Sequence, residues 1–208
     1  MRLYKQNQYG RSMIEMLGVL AIVGILSVGG IMGFSSAMTK FKIIKLAEEY
    51  NLFLQNILEY EMDWKQLRIS HPSAELADVI ENMGILPTSW QKKDKFILDS
   101  FGGSMYPHIG KACFFVLDYS IKSSKKEAKT NLQLCQAMWL NIIIPNKGII
   151  DHAWIYRGEE NGKENVWYGV NQCTDYKNCL EYMKPSDIYA ICTTCVDDAA
   201  CSIALDFC

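Results

Sequence analysis

Charge is missing from one long stretch of this 208-residue chain. From Met16 to Thr39 there is no Asp, Glu, Lys, Arg or His, a run of 24 residues. At about 1.5 Å per residue, a helix of that length crosses a bilayer core of roughly 30 Å. Proline is missing from the first 71 residues, so nothing obliges an early helix to stop before Pro72. A charge imbalance is missing as well: 21 basic against 23 acidic side chains leave a net charge of −2. That removes any global argument for nucleic acid or an acidic substrate. No P-loop, dinucleotide-binding glycine pattern or G-x-S-x-G occurs. His71, His108 and His152 show no H-x-x-x-H or H-E-x-x-H spacing. The expectation is therefore no catalytic residue, no metal, no cofactor, and a protein that is not an enzyme.

Cysteine is absent from the first 112 residues and then occurs eight times, at 113, 135, 173, 179, 192, 195, 201 and 208. An even count confined to one side of a membrane segment points to an oxidising compartment. Arg2 and Lys5 precede the apolar run, and basic flanks stay cytoplasmic. The rest of the chain is then expected in the periplasm or outside the cell. Topology and cysteine usage agree.

The flanks of the run are informative. A cleaved secretory signal has an apolar region of about 7–15 residues followed by small residues. Here the run is longer, and its small-residue junction, Gly10, lies before it. Glu15 stands alone among apolar neighbours. A charge at mid-membrane costs roughly 2.5–3.5 kcal/mol on insertion scales, so Glu15 is expected to have a partner and a role. If the chain is cut after Gly10, the new α-amine on Arg11 supplies that partner, being mostly protonated at neutral pH. A pair between neighbouring chains would set an axial register in a polymer. An uncleaved membrane anchor is the plainer alternative.

The stretch Gly10 to Phe34 resembles the class-III signal of type IV prepilins. Gly10 and Glu15 match position for position, and Ser12-Met13-Ile14-Glu15-Met16-Leu17 is similar to the family's T-L-I-E-L-like run. The first mature residue there is usually Phe or Met; here it is Arg11. The resemblance implies a leader (1–10), a hydrophobic transmembrane or filament-core helix (11–40) and a periplasmic or extracellular pilin head (41–208). It implies processing at Gly10 and Arg11, with N-terminal methylation, and assembly through Glu15. Implied partners are other pilin subunits, a prepilin peptidase, an inner-membrane assembly platform, and membrane lipid before assembly. A minor pilin or tip adhesin and a type II secretion pseudopilin remain alternatives. In filaments of that family the corresponding glycine region can lose helical hydrogen bonding on assembly, and the resemblance implies Gly29-Gly30 as that place here.

Beyond Lys40 the pattern turns amphipathic. Ile43, Ala47, Tyr50, Leu54, Ile57, Tyr60, Trp64 and Leu67 step by three or four, one stripe on a helix running to about Arg68. A coiled-coil seam would read the same way, but much globular sequence follows that needs a helix to pack on. Ala74 to Met83 predicts a short helix capped by Gly84. Phe96–Leu98 and Ala112–Tyr119 predict strands, and Phe101–Ser104 a loop. Ser124–Glu127 is a capping box that opens a helix ending before Pro145. His152–Arg157 and Asn165–Val170 predict a hairpin. Cys201–Cys208 alternates, with Ile203, Leu205 and Phe207 on one buried face. This order predicts an α+β fold: a long N-terminal helix, first hydrophobic and then amphipathic, packed on an antiparallel sheet, with a disulfide-rich C-terminal region. Pilin heads look like this; the Glu127–Ile144 helix is more similar to the type IVb branch, whereas the ten-residue leader is short for that branch, so both subclasses stay open.

Cys192-Thr193-Thr194-Cys195 is a C-x-x-C, yet no thioredoxin-like βαβ pattern surrounds it. Cys173 and Cys179, six apart, make a poor second half of a zinc site. Four structural disulfides are expected. Cys113 and Cys208 meet if their strands are antiparallel neighbours, while Cys173–Cys179 and Cys192–Cys195 would close local loops. Cys135–Cys201 would resemble the pilin D-region staple. Asp197-Asp198 is a solvated turn or a calcium contact. Lys122, Lys125, Lys126 and Lys129 form a basic cluster at a helix start.

Overall fold

The structure is a computed structural model and describes residues 13–121, 128–157, 164–175, 178–193 and 201–208. The chain divides into two compact units, Met1–Phe41 and Lys42–Cys208. Helix α1 spans Met13–Glu59. It is followed by α2 (Glu61–Ser70) and α3 (Ala77–Met83), then strands β1 (Gln91–Lys93), β2 (Phe96–Leu98), β3 (Ser104–His108) and β4 (Phe115–Ile121). Helix α4 (Ala128–Met138), hairpin strands β5 (His152–Arg157) and β6 (Glu164–Tyr168), helix α5 (Pro185–Thr193) and strand β7 (Cys201–Phe207) complete it. The seven strands form one sheet in the order β1-β2-β3-β4-β7-β5-β6, and every neighbouring pair is antiparallel.

The core of the second unit lies between the C-terminal half of α1 and one face of this sheet. Leu46, Tyr50, Phe53, Leu54 and Ile57 are buried, as the apolar stripe requires. Tyr50 meets Trp90 at 4.6 Å between ring centroids and Tyr119 edge-on at 5.5 Å. Phe115, Leu117, Tyr119 and Ile121 of β4 pair with Phe207, Leu205, Ile203 and Cys201 of β7, which places all eight on the helix side. The expectation that β7 buries one face is too modest. It is the fifth of seven strands, and Ser202, Ala204 and Asp206 on its other face are also buried.

Polar groups fix the helix to this surface. Glu49 accepts hydrogen bonds from Ser89 Oγ (2.8 Å), Trp90 Nε1 (2.9 Å) and Ser100 Oγ (3.1 Å). Asn51 solves a different problem. Pro145 has no N–H, so the carbonyl of Asn141 four residues earlier loses its helical donor. Asn51 Nδ2 donates to it at 2.9 Å. The helical turn there widens over Trp139–Ile143, with Ile144 N bonding Trp139 O at 2.9 Å. Sequence placed a single helix up to this point; α4 ends earlier and the wider turn replaces its last residues.

Three further expectations are corrected. The long helix does not run unbroken to Arg68. The carbonyl of Ile57 accepts the indole N–H of Trp64 at 2.7 Å and Tyr60 N at 3.2 Å. A side chain has entered the i→i−4 ladder, which is a recognised cause of a helix break. The strand expected at Ala112–Tyr119 begins at Phe115, because Gly110 N bonds Cys113 O at 3.1 Å and closes a turn. Residues from Ser104 form a strand, β3, despite Pro107. The Pro107 carbonyl accepts from Leu76 N at 3.0 Å, on the side away from β4. The missing N–H points the same way, so the β3–β4 ladder loses nothing.

Replacing Glu49 with Ala strands the partly buried Trp90 N–H without an acceptor. Unfolding of the Glu49→Ala head should become easier by about 1–3 kcal/mol. The check is a urea midpoint that falls while its slope holds; an unchanged midpoint contradicts the clamp.

Candidate functional site

Helix α1 meets two environments. Fourteen large apolar residues from Met13 to Phe34 are exposed, among them Met13 at 86%, Ile25 at 73% and Phe34 at 69%. The first buried residue of the helix is Ile43. By length and composition α1 is able to cross a membrane. Burying one Leu- or Ile-sized side chain is worth about 1.5–3 kcal/mol, so leaving this segment in water costs tens of kcal/mol. Two hydroxyls of the uncharged run are satisfied within the helix. Ser27 Oγ donates to Val23 O at 2.7 Å and Thr39 Oγ1 to Ser35 O at 3.1 Å. Gly29, Gly30 and Gly33 have open space where a Cβ would stand. Gly29 and Gly33, four apart, leave a notch into which another helix can approach closely. Helical structure is continuous through Gly29-Gly30. Glu15 lies in the first turn of α1 and is exposed. Gly10 and Arg11 lie outside the described residues.

The cysteines rearrange the expected staples. Cys113 is bonded to Cys208 and Cys173 to Cys179. Cys135 is bonded to Cys192, not to Cys201, and Cys192 is therefore not paired with Cys195. The cause is α5, a helix where the sequence suggested loops. It carries Ile188, Ile191 and Cys192 on one buried side, and Cys135 is the buried cysteine of α4. The C-x-x-C thus begins inside a helix whose first cysteine faces another helix. Local signals for α5 were present: Pro185 at its first position and Asp187 two residues on, whose Oδ2 accepts from Lys184 N at 2.8 Å. Cys201 is also disulfide-bonded; Cys195 lies outside the described residues. So do the Asp197-Asp198 pair, the Ser124–Glu127 capping box and three of the four clustered lysines. The fourth, Lys129, is exposed on α4.

One buried carboxylate stands out. Asp99 Oδ1 accepts from Phe101 N and Gly103 N, both at 2.8 Å, and Oδ2 accepts from Tyr50 Oη at 3.3 Å. The Tyr119 hydroxyl faces the same carboxylate without a well-formed hydrogen bond. Gly103 lies directly under the Tyr119 phenol ring, and a Cβ there would run into it. Desolvation outweighs the hydrogen bonds and raises the Asp99 pKa, and burial raises Tyr50 and Tyr119 well above the usual phenol value. The group ties α1 to β4 through the loop after β2.

The histidines sit apart. His71 is exposed in the turn after α2. His108 stacks on Tyr106 at 4.8 Å and lies 3.9 Å from Asp118. Ligand atoms of His152, Asp206, Cys113 and Cys208 all fall within 4.8 Å of one another. With the two sulfurs bonded to each other, only His152 and Asp206 can act there as ligands.

Compared with known family models, with characterised proteins and with solved structures, the chain matches none. What the fold defines is a class of architecture. A long apolar N-terminal helix, an antiparallel sheet and C-terminal disulfides are consistent with a pilin-like fold.

Asp99 gives a pH signature. Its folded pKa lies above the unfolded value of about 3.9, so the native state holds more protons and stability falls as pH rises through that window. Asp118, also raised by burial, acts in the same direction. Asp99→Asn should flatten part of the fall, measured as urea midpoints from about pH 4 upward. An identical pH profile in the variant contradicts the assignment.

Proposed function

We propose that this chain is a structural subunit of a type IV pilus-like filament, made as a prepilin. The observation that carries the proposal is the exposed, uncharged first half of α1, with Glu15 at its start and a folded head after it. Such a segment needs an apolar surrounding. Lipid supplies it before assembly, with the helix as a single pass in the inner membrane and the head in the periplasm. Neighbouring copies of the same helix supply it after assembly, once a prepilin peptidase has cut after Gly10 and an assembly platform has extracted the subunit. Exchange of lipid for protein is close to neutral for the apolar side chains. The decisive terms are then packing at small residues such as Gly29 and Gly33, and the one charge.

Glu15 is the group that distinguishes a filament subunit from an inert anchor. Pairing it with the α-amine of Arg11 on an adjacent subunit removes a cost of roughly 2.5–3.5 kcal/mol and sets the axial step. Glu15→Ala should lower the sheared-filament fraction by at least about tenfold, since 1.4 kcal/mol is already a factor of ten. The variant head should keep its disulfides and its unfolding midpoint. Wild-type filament yield from Glu15→Ala would refute the role.

A further inference from the structure

The cluster at the end of β7 has chemistry that spacing along the chain conceals. Its geometry follows from sheet register. His152 is the cross-strand partner of Asp206 in the β5–β7 ladder, and Cys208 lies two residues beyond Asp206. His152 Nδ1 stands 3.7 Å from Asp206 Oδ2. Phe115 pairs with Phe207, which brings Cys113, two residues before β4, to Cys208. One nitrogen, one carboxylate oxygen and two sulfurs are thus gathered within 4.8 Å of one another. In a tetrahedral zinc site, bonds of about 2.0–2.3 Å place ligand atoms roughly 3.3–3.8 Å apart. Three of the four groups lie on or against strands. Cys208 is exposed, and its backbone N–H donates to Asp151 Oδ2 at 2.6 Å, which holds it beside the other three.

We infer that Cys113, His152, Asp206 and Cys208 form a binding site for a zinc-class divalent cation when the Cys113–Cys208 bond is open, and lose it when the bond forms. The dithiol state exists before oxidation of the newly exported head. It also follows from treatment with a dithiol reductant. In that exchange the S–S bond takes up two electrons and two protons, giving two thiols, and the reductant becomes its own disulfide. Zinc then displaces the two thiol protons and binds two thiolates, the imidazole and the carboxylate. The same ends of β4 and β7 are held together in both states, by a covalent bond in one and by a metal in the other. Two thiolates with imidazole and carboxylate suit zinc over calcium or magnesium, which favour oxygen ligands.

The test uses the full chain in detergent micelles. Mild dithiol treatment should open Cys113–Cys208 early, since Cys208 is exposed while Cys135 and Cys192 are fully buried. Alkylation mapping identifies the opened bond. The reduced chain is then titrated with zinc chloride, and cobalt(II) is used as an optical probe of thiolate ligation. The expected result is one tight zinc site in the reduced chain and none in the oxidised chain. Cys208→Ser and His152→Ala should weaken it by more than about tenfold, the loss that follows even from disturbing a ligand's supporting contacts. Asp206→Asn, nearly isosteric, should do likewise with the fold intact. No tight site in the reduced chain overturns the inference. So does equal binding by the oxidised chain, or binding by the reduced chain that survives His152→Ala and Asp206→Asn, which would place zinc on other thiols.

Discussion

One helix has to satisfy two opposite burial demands, and the rest of the molecule is arranged around that fact. From Met16 to Phe34 the side chains of α1 carry no charge, and none of the described residues covers them. From Ile43 onward a single stripe is apolar, and that stripe is buried. The change falls where Lys40, Lys42 and Lys45 enter the sequence. A membrane-facing segment tolerates no backbone gaps and few polar groups. Ser27 and Thr39 therefore bond their own helix, and proline stays out until Pro72.

The head is held to its helix by polar contacts as well as apolar ones. Glu49, Tyr50 and Asn51 are consecutive, so their side chains leave the helix in three directions. Glu49 gathers the residues before β1 and after β2, Tyr50 reaches the buried Asp99, and Asn51 repairs the carbonyl that Pro145 leaves without a donor. The Tyr50 hydroxyl and the Trp90 N–H are the groups among these that would otherwise be buried unpaired, and such groups are expensive. Disulfides add covalent links between distant segments. Cys113–Cys208 joins the start of β4 to the end of β7, and Cys135–Cys192 joins α4 to α5. Both link segments remote in sequence, the kind of link that most restricts an unfolded chain.

Much of this was legible in the sequence wherever the cause is local. The uncharged run, the stripe from Ile43 to Ile57, the glycine cap at Gly84 and the β5–β6 hairpin all announce themselves by period or by turn residue. What was not legible has tertiary causes. The break at Tyr60 comes from an indole reaching back to Ile57 O, and no propensity encodes that. Strand β3 hides behind Pro107, which is harmless only because its missing N–H points away from β4. Cys192 looked like half of a local loop because Cys195 is near in sequence, whereas its partner lies 57 residues away across two helices. His152 and Asp206 meet through strand register alone, so a search for ligand spacing along the chain passes over them.

The central claim is that the exposed helix is the working part of a processed filament subunit. The most direct measurement is the mature N-terminus, by intact mass and N-terminal peptide sequencing of the membrane and sheared fractions. A chain beginning at Arg11 in both fractions is the predicted result, and a methyl group on its amine would add the expected modification. A chain still beginning at Met1 contradicts the claim and leaves a single-pass anchor. A chain beginning at Met38, the product of a conventional signal cut after the small residues Ser35-Ser36-Ala37, contradicts it too and leaves a secreted disulfide-rich domain.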